Sequence, residues 1–98
     1  MKLIFEWDRI KEQSNFRKHR IAFDEAKTIF RDELVVTYAD DFHSDNENRF
    51  ISIGTSANSR ILLVVHTEVD KSANTVVIRI ISCRKAKASE RKIYEEGK

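Results

Sequence analysis

The chain contains no proline and only two glycines, Gly54 and Gly97, so nothing in it reads as a flexible linker, a low-complexity tract or a repeat. A single cysteine, Cys83, excludes an internal disulfide, and no Cys/His cluster has zinc-like spacing; a reducing cytoplasm and a metal-free fold are the expectation. Long apolar runs are missing too. The first apolar residues are interrupted by Glu6 and Asp8, which is too short for a signal-peptide core or a membrane span, so neither export nor membrane insertion is expected. No Gly-rich phosphate loop, HExxH, GxSxG or paired-cysteine motif occurs, and therefore no nucleotide or other cofactor is expected.

What is present is charge on a foldable background. The 98 residues are 41% hydrophobic and 35% charged, enough apolar material for one core, and residues 1–98 read as a single domain. The net charge of +2 says little, because clustering rather than the total makes an electrostatic footprint. The cations do cluster. Residues 9–20 carry Arg9, Lys11, Arg17, Lys18, His19 and Arg20 against Glu12, and residues 79–92 carry Arg79, Arg84, Lys85, Lys87, Arg91 and Lys92 against Glu90.

Residues 2–7 are β-prone, and Asp8 offers a side-chain oxygen to cap a polar, basic helix from Arg9 to about His19. Phe23, Ala26, Ile29 and Phe30 recur at spacings of three and four, which predicts a second helix over residues 24–31. From Leu34 the period changes to that of strands: 34–38, 49–55, 60–68 and 75–82, with polar or turn-forming stretches at 40–46, 54–59 and 69–74. Residues 85–96 are a further helix candidate, with Ala86, Ala88, Ile93 and Tyr94 to pack. The order β-α-α-β-β-β-β-α predicts an α+β domain, a small antiparallel sheet with helices on one side.

The chemistry-bearing residues sit at strand spacing. Glu47 and Arg49 precede Ile51 and Ile53, His66 and Glu68 follow Val64, and Arg79 is expected to share a strand face with Val77, Ile81 and Cys83. A guanidinium among apolar neighbours needs solvent, a partner or a ligand, since an uncompensated buried ion costs several kcal/mol. Arg, Lys, Glu, His and aromatic residues suffice to hold a phosphodiester, with Arg as the planar phosphate fork and an acid or imidazole to move a proton. Each residue also has a structural alternative. Glu47 and Arg49 can form a surface ion pair, His66 a satisfied strand-end histidine, Trp7 a core residue, and Lys18 with His19 a solvated face.

The segments Phe5-Glu6-Trp7-Asp8, Asn15-Phe16-Arg17-Lys18-His19, Ile21 to Ala26, His43-Ser44 to Glu47-Asn48-Arg49, Ile53-Gly54, Leu63 to Thr67 and Ile78 to Arg84 together resemble the BrnT family, toxins of type II toxin–antitoxin modules. Their order and spacing cover almost the whole chain. The resemblance implies a RelE-like ribonuclease fold, metal-independent RNA cleavage, and a BrnA-type antitoxin whose ribbon-helix-helix end binds operator DNA, the toxin joining it in a heterotetramer. Three positions depart from the family pattern: Arg20 stands where a glycine usually follows Lys-His, Val69 where a basic residue commonly follows Thr-Glu, and Cys83 where alanine is usual.

Under that resemblance, Glu47 or His66 is the candidate base, Arg49 and Arg79 are candidates for holding the phosphate, and Trp7, Lys18, His19, Arg84 and Lys85 are candidate RNA contacts. Two other functions stay open on sequence: a non-catalytic module that binds antitoxin and nucleic acid, and a RelE-fold toxin acting on a protein target such as a topoisomerase.

Overall fold

The computed structural model describes residues 1–42 and 48–97. In chain order it contains β1 (Lys2–Trp7), α1 (Arg9–His19), α2 (Phe23–Ala26) continuing into a 3₁₀ turn (Lys27–Arg31), β2 (Val36–Ala39), β3 (Arg49–Thr55), β4 (Ile61–Ser72), β5 (Thr75–Lys85) and α3 (Ala88–Glu96). The strands form one sheet in the order β1-β5-β4-β3-β2. Strands β2 to β5 pair antiparallel, whereas β1 lies parallel to β5, with Lys2 opposite Thr75 and Trp7 opposite Ile80. The sheet is therefore mixed, not antiparallel throughout. The helices of residues 9–31 carry the chain from β1 to β2 at the opposite edge of the sheet, and three reversals from β2 back to β5 bring β5 in beside β1 pointing the same way.

The helices occupy both faces of the sheet, a second departure from expectation. On one face Ile21, Phe23, Ala26 and Ile29 pack on Leu62, Val64, Ile78, Ile80 and Cys83. On the other, Ala86 and Tyr94 pack with Ile53, Leu63, Ile51 and Val65. The tail can reach that face because residues 84 and 85 continue β5; Lys85 is a strand residue opposite Leu62, and α3 starts only at Ala88. Strands β4 and β5 also outrun the expected 60–68 and 75–82, leaving only Ala73 and Asn74 between them in a tight hairpin. The turn-like stretch 40–46 is described only as far as Phe42.

A register shift decides which side chains share a face. Val65 pairs with Ser82 but His66 pairs with Ile80, so Ile81 is an extra residue on β5 and forms a bulge. Strict alternation would put Cys83 beside Arg79. The bulge instead returns Cys83 to the core face with Ile78 and Ile80, where burial pushes its thiol up to about 11 and makes it a small apolar filler.

Close packing explains Gly54, since a Cβ there would stand 3.1 Å from the Cβ of Ile29 and 3.2 Å from Cγ2 of Val35. Asp8 caps α1 as its position suggests, its carboxylate accepting from the N–H groups of Ile10 (2.8 Å) and Lys11 (3.1 Å). At the other end Arg20 is left-handed, φ 59° and ψ 32°, where its N–H donates to the carbonyl of Phe16. A side chain is strained in this conformation and glycine is not. Arg20→Gly is accordingly expected to stabilise the fold by about 1 kcal/mol, raising Tm by roughly 4–8 °C in thermal unfolding; no gain would mean that the Arg20 guanidinium over the Phe16 ring, 5.9 Å from its centroid, offsets the strain.

Candidate nucleic-acid interface

Register places one residue from each of four strands in a line across the sheet. Glu6 lies opposite Arg79, Arg79 opposite Thr67, and Thr67 opposite Arg49. All point to the face that carries α3, but α3 covers only the far end of that face, near Ile53 and Leu63. The β1–β5 end of the row is the open one: Arg79 keeps 43% and Glu6 51% of its side-chain surface in solvent, whereas Arg49 is half-buried with its Nε enclosed. The Arg79 Nη1 donates to the Glu6 carboxylate at 3.2 Å, and Thr67 is buried beneath the arginines. With strands about 4.8 Å apart, Arg79 and Arg49 stand roughly 10 Å apart at the backbone, within reach of a common anion above Thr67.

The rows on either side are apolar. Towards the open end of the sheet lie Ile4, Val77 and Val69, the last of these 60% exposed. Val69 is two residues from Thr67 on the same face, so a basic residue at this position would have added a cation beside the row. Towards α3 lie Tyr38, Ile51, Val65 and Ser82, which floor a groove of about 390 Å³ also lined by His19, Arg84 and Glu90.

His66 stands on the other face. It is fully buried, edge-on to Phe30 (5.0 Å between ring centroids) and stacked on Phe50 (6.0 Å), with Nε2 2.7 Å from the Ser52 hydroxyl, itself 2.7 Å from that of Thr37. Desolvation lowers its pKa from 6.5 to about 4; the half-exposed Glu68 carboxylate, 3.9 Å from Nδ1, is too distant and too wet to offset that burial. The imidazole is thus neutral at pH 7 and shares no surface with Arg49 and Arg79. The unfolded chain binds a proton near pH 6.5 that the folded chain refuses until about pH 4. Stability is complete above pH 6.5 and falls by about 3 kcal/mol on the way to pH 4. Urea unfolding across this range should show the loss, and His66→Gln should flatten the profile between pH 6.5 and 4.5.

The remaining candidates are dispersed. Trp7 is half-buried on the core face, edge-on to Phe23 at 5.9 Å. Lys18 is exposed at the end of α1, and the adjacent His19 reaches the groove, its pKa lowered by burial and then by the Lys18 and Arg84 charges. Arg84 is engaged: Nη1 and Nη2 donate to the two Glu90 oxygens at 2.7 and 2.8 Å, while Glu90 also accepts from the Lys87 N–H at 2.7 Å, tying α3 to β5. Lys85 sits away from the row, lining a depression with Arg60 and Arg91. Glu47 lies outside the described residues. Among the described residues no three His, Cys, Asp or Glu side chains are placed to hold a metal ion, and no helix is long and apolar enough to cross a membrane.

Three structural or site residues had no assigned role in the sequence. Glu6 joins the arginine row through the parallel pairing of β1 with β5, which local periodicity does not reveal. Asn15 is buried where α1 meets β5, and Asp32 accepts from the Thr55 N–H (2.8 Å), the Leu34 N–H (2.9 Å) and the Tyr94 hydroxyl. Burial of Asp32 favours its neutral form, but these three donors hold its pKa below the usual value.

A small mixed sheet, helices on both faces and a solvent-facing Arg79 in register with a half-buried Arg49 beside a groove define a small α+β protein with a cationic sheet face. The chain belongs to the family described as ribonuclease toxin, BrnT, of type II toxin–antitoxin systems, which matches residues 7–90. The fold is similar to that of the Brucella abortus ribonuclease toxin BrnT, known from a 1.1 Å crystal structure, with 21% sequence identity, a TM-score of 0.61, and coverage of 89% of this chain and 99% of that one. No curated protein matches the sequence. Membership of this family makes the chain a toxin–antitoxin toxin with a ribonuclease assignment, and a type II module implies a protein antitoxin as partner.

Proposed function

We propose that the chain is a metal-independent endoribonuclease toxin of the RelE-like kind, whose cut of RNA arrests translation and growth in the cytoplasm. In this reading a BrnA-type ribbon-helix-helix antitoxin neutralises it in a heterotetramer, and operator DNA is reached only through that antitoxin. The observation that supports the reading best is the transverse row Glu6–Arg79–Thr67–Arg49 on an open sheet face of a chain in a ribonuclease toxin family.

The chemistry follows from the row. Arg79 and Arg49 hold the scissile phosphate, and their fixed charge stabilises the extra negative charge of the pentacoordinate transition state. A carboxylate removes the proton of the ribose 2′-OH, the oxygen attacks the adjacent phosphorus, the bond from phosphorus to the 5′-oxygen breaks, and that oxygen takes a proton from water to become the 5′-hydroxyl. Glu6 is the described carboxylate in the row, with one oxygen 3.2 Å from the Arg79 Nη1 and half of its side chain open to substrate. Glu47 precedes Arg49 by two residues and is the second candidate for this role. His66, buried on the opposite face of the sheet, is not assigned this role. Products are a 2′,3′-cyclic phosphate and a 5′-hydroxyl.

The test is purified chain, freed of antitoxin, with end-labelled single-stranded RNA in EDTA and in magnesium. Equal cleavage in both, giving cyclic-phosphate ends, is the expected result. Cleavage in magnesium alone would remove the metal-free route, and folded protein that cuts no RNA in either buffer would overturn the nuclease reading. DNA damage with intact RNA after induction in cells would point to a topoisomerase target.

A further inference from the structure

The geometry points to a nucleobase pocket in the groove between β2 and the start of α3, where one unstacked base of an RNA strand sits while its backbone lies on the arginine row. This rests on the ribonuclease reading and adds the element that would give it sequence preference. The floor is apolar, Ile51 and Val65, and each lies two residues along its strand from Arg49 and Thr67. Two strand residues span about 7 Å, so an RNA anchored on Arg79 carries a neighbouring nucleotide over the groove.

The walls suit a neutral, flat, amphipathic ligand better than a second phosphate. Tyr38 supplies a phenol ring that remains 38% exposed, open to a stacking partner. The Arg84 fork is closed on Glu90 at 2.7 and 2.8 Å, so it stiffens the wall and brings little net charge. The Ser82 hydroxyl, on the floor, makes no hydrogen bond among the described residues, and His19 is held towards its neutral form, able to donate from one ring nitrogen and accept at the other. These groups can read the edge of a base, and aromatic stacking on Tyr38 supplies affinity that every base can use. An acidic antitoxin segment fits less well, because Arg84, the arginine that lines the groove, is already committed to Glu90.

The test separates base binding from cleavage. Fluorescence anisotropy with 2′-O-methyl oligonucleotides, which lack the attacking hydroxyl, should show wild type preferring one base at one position. Tyr38→Ala should weaken binding about 10- to 100-fold and erase that preference. Tyr38→Phe should keep both, because the ring is retained, and Ser82→Val should alter the preference with little loss of affinity. Circular dichroism and Tm confirm that each variant is folded. Unchanged affinity and preference in folded Tyr38→Ala and Ser82→Val would overturn the pocket, as would weakened antitoxin binding with RNA binding intact. Base-selective, Tyr38-dependent binding by a chain that cuts no RNA would leave the pocket standing and overturn the nuclease reading alone.

Discussion

Arg79→Ala is expected to lower kcat/KM for RNA cleavage by about 100- to 1000-fold while shifting unfolding free energy by less than about 1 kcal/mol. The large term comes from placing a fixed cation where transition-state charge develops, and removal of one such donor typically has this effect. The small term comes from exposure: the Arg79 pair with Glu6 is 43% and 51% solvent-accessible at 3.2 Å, and surface pairs of this kind contribute about 0–1 kcal/mol. Arg79→Lys should recover only part of the activity, because an ammonium keeps the charge but loses the planar fork that meets two phosphate oxygens. For binding of single-stranded RNA, loss of one phosphate contact should reduce the slope of log affinity against log salt by about 0.7. Steady-state kinetics, a salt series and chemical unfolding check all three. A parallel collapse of stability and activity would show that Arg79 holds the fold and would sink its catalytic role.

The face that carries Arg79 was legible from period-two alternation, but its company was not. Val77, Arg79 and the apolar residues around them announce a strand, yet nothing in the sequence marks Ile81 as the bulged residue, and without the bulge Cys83 falls on the wrong face. The parallel partner of Arg79 was hidden for a related reason. Glu6 is far from Arg79 in sequence, and only the topology of the crossover decides that β1 adds beside β5. Local signals suffice where the cause is local: Asp8 as cap and the 9–19 helix follow from one side chain and its neighbours. His66 shows the opposite case. A histidine between Val65 and Thr67 reads as a polar strand residue, but whether it faces solvent or a cage of Phe30, Phe50 and Ser52 depends on which face the helices of residues 9–31 cover. Val69 puts an apolar side chain beside the arginine row, and only the resemblance to a family in which a basic residue commonly follows Thr-Glu marks that position.

Asn15→Ala is expected to destabilise the protein by about 3 kcal/mol, lowering Tm by roughly 10–20 °C. Asn15 is 8% exposed, and its amide group completes the sheet at the point where β5 leaves the bulge: Oδ1 accepts from the Cys83 N–H at 3.1 Å, and Nδ2 donates to the Cys83 carbonyl at 3.0 Å, with the Ile21 carbonyl at 3.5 Å. Alanine would leave a buried N–H and a buried carbonyl without partners, each costing about 1–3 kcal/mol. Asn15→Asp separates the donor from the acceptor. An ionised aspartate still accepts from Cys83 but cannot donate, and it places a charge in a dry site; its pKa should rise, so the variant is weakest at neutral pH and regains stability as pH falls and the protonated carboxyl can donate again. Thermal unfolding of the variant beside wild type at pH 5 and pH 7.5 checks the sign, the difference being taken at each pH because His66 lowers the stability of both at pH 5; a deficit equal at both would show that the carbonyl bond carries little. Asn15→Ala also reaches the groove, because Asn15 ties α1 to β5 a turn before His19, which lines the groove beside Arg84. Asn15→Ala, assayed below its Tm, should therefore weaken base-selective RNA binding more than phosphate-dependent binding, a split that a general loss of folded protein cannot produce.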